Sequence, residues 1–372
     1  MIIGVAAEIK KDEYRVGLSP MTVKPFAKNG HRVLIEQNAG HGSGFEDSEY
    51  EAAGAEIISD KKSLFDQSEL IIKVKEPLPE EYGLFHEGQI LYTYLHLAAA
   101  YDLTLALLKR KIIGIAYETI ELADGTLPLL TPMSEIAGRL AVQEGAKYLE
   151  KPFGGRGILL GGVPGIKRGK VVILGGGVVG LNACKMAVGL GADVTILDVD
   201  PKRLAYLDDL FSTHITTLYS TESNIEEEIQ QADLVIGAVL KHGAKAPKLI
   251  ERHHLKMMKK GAVLVDVSVD QGGCFESSRP TTHKEPVYVE EGIVHYAVAN
   301  MPGAVALSST IALTSVTYAY GLAVASKGLN SAIKESAALA SGVNLYRGCC
   351  TYKNVADSLG IPYTPLAEAM AK

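Results

Sequence analysis

The residues best equipped for chemistry fall into two groups, one in the middle of the chain and one near its start. In the middle, Gly175, Gly177 and Gly180 fit the spacing G-x-G-x-x-G, directly after the apolar run KVVIL and before a stretch of helical character. A pyrophosphate needs that order: a tight turn, a backbone it can approach, and a helix N-terminus presenting free N–H groups and positive dipole. Val178 and Val179 occupy the two positions that open this helix. Asp198 ends the next apolar run, VTILD, where a carboxylate accepts hydrogen bonds from ribose hydroxyls and repels a 2′-phosphate. The expected cofactor is therefore NAD, although Arg203 close by would tolerate a phosphate and Asp198 alone also fits a cap or turn. Asp270 opens the loop DQGGCFE and Asn300 ends YAVAN. Both follow presumptive parallel strands, whose carboxyl ends are where open α/β sheets bind ligands. A turn or cap is the plain alternative for Asp270, and Cys274 has no base beside it that would make it a nucleophile.

The second group is Arg15 in KKDEYRVGLSP, Lys75 at the end of LIIKVK, and His96 within ILYTYLHLAAA. A guanidinium grips a carboxylate through two parallel hydrogen bonds, and an ammonium acts as a point charge beside a carbonyl or hydroxyl oxygen. An imidazole takes up and returns a proton near neutral pH. Together the three suit a small keto or amino acid. Singly, each also fits a structural role: Arg15 a surface ion pair, Lys75 a strand-end charge, His96 a satisfied core histidine.

The elements that must hold these groups are legible as alternation. From Met1, IIGVAAE, HRVLIE and AEII read as strands separated by helices at PMTVKPFAKNG and DSEYEAAG, with further strands at LIIKVK, QILYTYL and IIGIAYE. That pattern belongs to an α/β domain with a mainly parallel sheet. PLLTPMSEIAGRLAVQEGAKYLEK then reads as one long connecting helix, with Ser134 as its cap and Pro132 just before it. After it, KVVIL, DVTILD, ADLVIGAVL, GAVLVDVSVD and IVHYAVAN continue a second alternation to about Asn300, which predicts a doubly wound sheet. The division expected is a substrate domain over 1–128, a Rossmann-type domain over 129–306 inserted into it, and a return to the first domain over 307–372.

With 372 residues, 47% apolar and 22% charged, the chain is long enough for two cores and has an ordinary globular composition. Its formal net charge of −6 gives no broad electrostatic footprint for nucleic acid or anionic lipid. Four cysteines, at positions 184, 274, 349 and 350, show no zinc spacing and no disulfide framework, so a reducing cytoplasm is expected and no metal. The opening MIIGVAAEIKKDEYR does not read as a signal peptide. No Asp, Glu, Lys or Arg occurs from Gly292 through Ser326, but Pro302, Gly303 and many Ser and Thr interrupt that tract, which reads as a buried or interface-packed helix rather than a membrane span.

EYRVGLSP, LIIKVKEP, YTYLHLAA, PMSEIAGRLA, VVILGGGVVGLNA, VTILDVD, ADLVIGAVL, GAKAPKL, DVSVDQGGCFE and YAVANMPGAV, in this order, resemble the alanine dehydrogenases along essentially the whole chain. The resemblance implies reversible, NAD-dependent oxidative deamination of L-alanine to pyruvate and ammonium. It assigns Arg15 and Lys75 to the substrate carboxylate and carbonyl region, and His96 and Asp270 to proton transfer as water adds to the iminium and the carbinolamine collapses. It places cofactor contacts on Ser134, Val178, Val179, Asp198, Arg203, Ser220, Val239, Leu240, Val267, Ser268, Val269, Asp270, Val298 to Met301, and it implies a homo-oligomer, usually a hexamer. Two segments depart from the family pattern: Ala306-Leu307-Ser308-Ser309 after NMPGAV, and Lys241-His242 in LKHGAKAP. The competing readings are a transhydrogenase nucleotide-binding subunit, a saccharopine-type dehydrogenase, and an NAD-binding regulator without chemistry.

Overall fold

A computed structural model describes residues 1–239 and 246–371; Leu240, Lys241 and His242 lie outside the described residues. The contacts divide the chain into two compact units, Met1–Met133 with Val305–Lys372, and Ser134–Ala304.

In the first unit the apolar runs form β1 (Ile2–Val5), β2 (Arg32–Glu36), β3 (Glu56–Ile58), β4 (Leu70–Ile72), β5 (Ile90–Thr93) and β6 (Ile113–Ala116). These six pair in parallel, in the spatial order 3-2-1-4-5-6. Helices Pro20–Lys28, Asp47–Ala52, Lys61–Gln67 and Tyr101–Lys109 make the crossovers. The first of these opens with Pro20 at a position that needs no N–H, behind Ser19, whose N–H donates to Thr22 Oγ1 at 2.9 Å. Strands β4, β5 and β6 are buried throughout, as expected of parallel strands covered on both faces. Strand β4 ends at Ile72, short of the expected LIIKVK; beyond it Lys73 N–H still reaches the Tyr92 carbonyl at 3.2 Å, while the N–H groups of Val74 and Lys75 go to the carboxylate of Glu8, at 2.6 and 3.3 Å.

The second unit contains β7 (Lys170–Leu174), β8 (Asp193–Asp198), β9 (Thr216–Tyr219), β10 (Leu234–Gly237), β11 (Val263–Asp266), β12 (Val287–Glu290) and β13 (Ile293–Tyr296). Its parallel strands run 9-8-7-10-11-13, the same order again, with β12 added antiparallel at the edge. Val172, Leu174, Leu197, Val235, Leu264 and Phe275 pack in one core on this sheet. Each such side chain contributes roughly 1.5–3 kcal/mol by leaving water.

The long helix near the boundary spans Thr131–Tyr148, so Ser134 is not its cap but lies inside its first turn. Pro132 sits one position after the start, where its missing N–H costs nothing, and this allows the helix to begin earlier than the serine suggested. The chain returns to the first unit through Ala306–Lys327, a 22-residue helix whose first turn is the Ala306–Ser309 tract. Met301–Lys327 is long and apolar enough to cross a bilayer by length and composition, with 39% of the window buried. One face is fixed to the first unit by polar bonds: Thr310 Oγ1 meets Ser43 Oγ at 2.7 Å, and Tyr92 Oη donates to the Thr317 carbonyl at 3.0 Å. Two antiparallel strands, β14 (Val343–Tyr346) and β15 (Cys349–Cys350), complete the first sheet, β14 pairing with β6.

Candidate active site

In the first unit the candidate residues follow strand ends. Arg15 is 2% exposed, and Glu13 grips it with both oxygens: Oε1 accepts from Nε at 2.7 Å and Oε2 from Nη2 at 2.5 Å. Nη1 lies 3.0 Å from Met133 Sδ. Arg15 is therefore a buried, oriented guanidinium and not a surface ion pair. Although burial opposes it, Glu13 holds its pKa above the ordinary value. Lys75 is half-buried, on the turn after β4. Burial lowers its pKa, and the positive charges of Arg15 and Lys10 lower it further. The two cations thus share one positive pocket that an anion would relieve.

Beneath Lys75 lies a charge network that motif reading did not find. Lys73, fully buried, pairs with Glu8 at 3.3 Å and Glu81 at 3.0 Å. Burial pushes the Glu8 carboxyl up, partly offset by Lys73. Glu8 Oε1 receives the backbone of Val74 and Lys75, and Thr93 Oγ1 donates to the Lys75 carbonyl at 3.1 Å, so the backbone of Lys75 is held at both its N–H and its C=O. Removing one partner from such a buried network costs about 3–5 kcal/mol.

His96 follows β5 and is half-exposed, not a core histidine. Its backbone is left-handed, with φ 51 and ψ 32, a conformation an ordinary side chain adopts only where its surroundings impose it. Glu118 imposes it here: its carboxylate accepts the N–H of Leu95 at 3.1 Å and of His96 at 2.6 Å. The ring meets Tyr94 edge-on, with centroids 5.9 Å apart. Arg15, Lys75 and His96 all come from loops at the carboxyl ends of the first sheet, as do Glu8, Glu13 and Glu118. The overlooked carboxylates lie inside quoted segments, Glu8 in IIGVAAE, Glu13 in KKDEYRVGLSP and Glu118 in IIGIAYE, but only the fold shows which group each one holds.

In the second unit the glycines form a cradle. Gly175 has φ +101, and a Cβ there would meet the Ala238 carbonyl oxygen at 2.8 Å. A Cβ on Gly180 would lie 1.8 Å from the Gly175 carbonyl oxygen, whereas one on Gly177 would meet nothing. Gly177 caps Val178–Gly189, a 12-residue helix with no side-chain cap, leaving its first N–H groups directed outward beside exposed Val178 and half-buried Val179. An open glycine ahead of an uncapped helix fits a dinucleotide pyrophosphate.

Asp198 ends β8, its Oδ2 accepting Gly176 N–H at 2.6 Å and its Oδ1 accepting Asp200 N–H at 2.9 Å. Ser220 N–H bonds the Asp198 carbonyl at 2.9 Å, which brings the end of β9 alongside. Arg203 does not project freely: Nε donates to the Gly176 carbonyl and Nη2 to that of Gly177 at 3.3 Å, and the guanidinium lies over Tyr206. It braces the glycine turn.

Around the same turn, Ser268 Oγ donates to the Val239 carbonyl at 2.7 Å, and Val267 N–H bonds Gly237 at 3.0 Å. Val269, Val298 and Met301 are buried. Asp270 is exposed, with Oδ2 accepting the Asn300 N–H at 3.4 Å. Asn300 is itself left-handed, φ 61. The loop bearing Asp270 is shaped by Asp266, which accepts N–H groups of Ser268 and Cys274 at 3.0 Å each and the Ser278 hydroxyl. Cys274 is fully buried, its thiol pushed up by burial and by Asp266, and is no nucleophile.

Family models for the alanine dehydrogenase/PNT N-terminal domain and C-terminal domain match residues 4–137 and 141–353. The chain belongs to the alanine dehydrogenase/PNT family. It is 56% identical over 371 residues to an alanine dehydrogenase of Methanococcus maripaludis, covering 100% of both chains. It is 54% identical over 371 residues to alanine dehydrogenase 2 of Staphylococcus aureus strain USA300, again covering 100% of both. Among solved structures, an L-alanine dehydrogenase matches with TM-score 0.94 and 51% identity, covering 97% of this chain and 99% of that one. A transhydrogenase from Sinorhizobium meliloti, at 24% identity and TM-score 0.81 over 95% of this chain and 99% of that one, shares the fold. The family is one of nucleotide-binding oxidoreductases acting on small molecules.

Proposed function

We propose that the protein catalyses the reversible oxidative deamination of L-alanine to pyruvate and ammonium with NAD. The observation that carries the reading is the positive pocket shared by Arg15 and Lys75, which Glu76 also faces, with His96 Nδ1 4.0 Å from that Glu76 carboxylate. Glu13 fixes the guanidinium plane, so Arg15 takes the substrate carboxylate with its geometry already set. The carboxylate also relieves the repulsion between the two cations, and Lys75 steadies the carbonyl oxygen of pyruvate. His96 accepts a proton from the substrate side and returns it, with Asp270 as the second proton-transfer group. Bound NAD supplies the hydride acceptor. Gly175, Gly177 and Gly180 with Val178 and Val179 would cradle its pyrophosphate, Asp198 its adenosine ribose, and Ser134, Arg203, Ser220, Val239, Val267–Asp270 and Val298–Met301 the rest. Asp198, with Arg203 turned onto the backbone, supports NAD over NADP.

The first unit is read as the substrate domain and the second as the cofactor domain. The outward face of Ala306–Lys327, with Leu307 and Ile311 at 50% and 40% exposure, supports a subunit contact in a homo-oligomer, which the family resemblance makes a hexamer. A cytoplasmic enzyme with neither nucleic acid nor membrane as partner completes the reading. The test is NADH formation from NAD and L-alanine by the purified chain. Turnover is expected; transfer between nicotinamide analogues without alanine turnover would make it a transhydrogenase subunit, and NAD binding with neither would make it a regulator.

A further inference from the structure

The geometry points to Glu76 as the positioning residue of His96: its carboxylate holds the imidazole by Nδ1 and leaves Nε2 to exchange the substrate's proton. This inference rests on the function proposed above. Parallel strands β4 and β5 pair Ile72 with Tyr92. Glu76 and His96 lie on the loops that leave these two strands, four residues beyond that pair. The two side chains meet there, with Glu76 Oε2 4.0 Å from His96 Nδ1.

The carboxylate is built for a partner. It is 17% exposed, and its Oε1 is taken by Lys10 Nζ. Its Oε2 is buried and has no hydrogen-bond partner among the described residues. A buried carboxylate oxygen in that state costs more than it contributes until a donor arrives. The imidazole Nδ1 stands 4.0 Å from it, just beyond hydrogen-bond distance. Against burial, which would raise it, Lys10 and His96 hold the Glu76 carboxyl below its ordinary pKa, so an anion faces the ring.

Glu118 cannot share the task, because its oxygens are spent on the backbone N–H groups of Leu95 and His96. The charged and titratable groups near the imidazole are thus the carboxylates of Glu76 and Glu118, the Lys10 ammonium bound to Glu76, and the Tyr94 ring. A carboxylate on Nδ1 selects the tautomer as well as the orientation, because Nδ1 then keeps its proton while Nε2 cycles.

The experiment is the pH profile of kcat/KM for L-alanine oxidation in wild type, Glu76→Gln and Lys10→Met. Glu76→Gln is expected to move the limb set by His96 to lower pH by about 0.5–1 unit, the scale of one charge near 4 Å in a half-solvated site. It should lower kcat about 10-fold while KM for L-alanine changes less than about threefold. Lys10→Met, which unmasks the carboxylate, should move the same limb to higher pH. Glu76→Asp should restore most of the wild-type profile. Coincident profiles for Glu76→Gln and wild type, or shifts of the same sign in Glu76→Gln and Lys10→Met, would overturn the assignment. If Glu76→Gln does not fold, Lys10→Met decides by the same readout, an unmoved limb being the adverse result. If wild type does not turn over L-alanine, the functional reading falls, and NMR titration of the His96 imidazole in wild type and Lys10→Met still decides this one.

Discussion

The two sheets share one strand order and differ in what stands where that order reverses. In the first, β1 and β4 flank the reversal and lead into Glu8, Lys73 and Lys75, where the Glu8 carboxylate pairs with the Lys73 ammonium and accepts the backbone N–H of Lys75. In the second, β7 and β10 flank it and lead into Gly175-Gly176-Gly177 on one side and Ala238 and Val239 on the other. A doubly wound sheet opens a crevice at the carboxyl ends of such a pair whatever its sequence. In the function proposed above, what the crevice takes is decided by a few residues: charges for a small anion in one, and absent side chains for a long ligand's backbone approach in the other. Shared topology therefore carries no function by itself.

Substitutions can break this division of labour. The largest effect is expected from Arg15→Met, which removes the oriented guanidinium: kcat/KM for L-alanine should fall roughly 1,000-fold, with NAD affinity unchanged within about twofold by calorimetry. Equal losses in both would mean the two crevices do not act separately. The reciprocal change, Gly180→Ala, forces a methyl against the Gly175 carbonyl oxygen and should weaken NAD binding about 100-fold. His96→Ala and Asp270→Asn should each lower turnover at least about 100-fold while sparing NAD affinity, and near-normal turnover in either would remove that residue from the chemistry. Asp198→Ala should shift the ratio of NADP to NAD use about 10-fold toward NADP, measured as kcat/KM for each; an unchanged ratio would discount the carboxylate.

The smallest effect concerns stability. His295, buried in the second unit, accepts from Ser277 Oγ at 2.8 Å through Nε2, and burial lowers its pKa from 6.5 to about 4. A folded-state pKa below the unfolded one means stability is fully present above about pH 6.5 and is lost as pH falls toward 4. His295→Gln should flatten that part of the Tm-versus-pH curve by a few °C, and an identical acid slope in both proteins would count against a neutral buried imidazole.

Legibility in the sequence followed locality. The glycine turn, its strand and its helix are set by neighbouring residues, so their spacing alone located the cradle. The parallel strands were legible because both faces are buried and the runs are uniformly apolar. Short antiparallel edges such as β12 and β15 carry no such signal. Bracing groups were hidden for a related reason: Glu13, Glu76 and Glu118 look like ordinary acidic residues until the fold shows what they hold. Arg203, near Asp198, reads in the sequence as able to tolerate a phosphate, and its hydrogen bonds to the glycine turn are visible only in the fold.

The pairing of β14 with β6 has a consequence for biosynthesis. Thr119 Oγ1 meets Asn344 Oδ1, 225 positions along the chain. At about 5–20 residues per second a ribosome needs roughly 10–45 s to cover that distance, and the second unit emerges whole in the meantime. The first sheet waits through this interval with β6 as an unpaired, apolar margin, the kind of edge that recruits a neighbouring nascent chain. Yield on overexpression should accordingly respond to translation rate and chaperone supply.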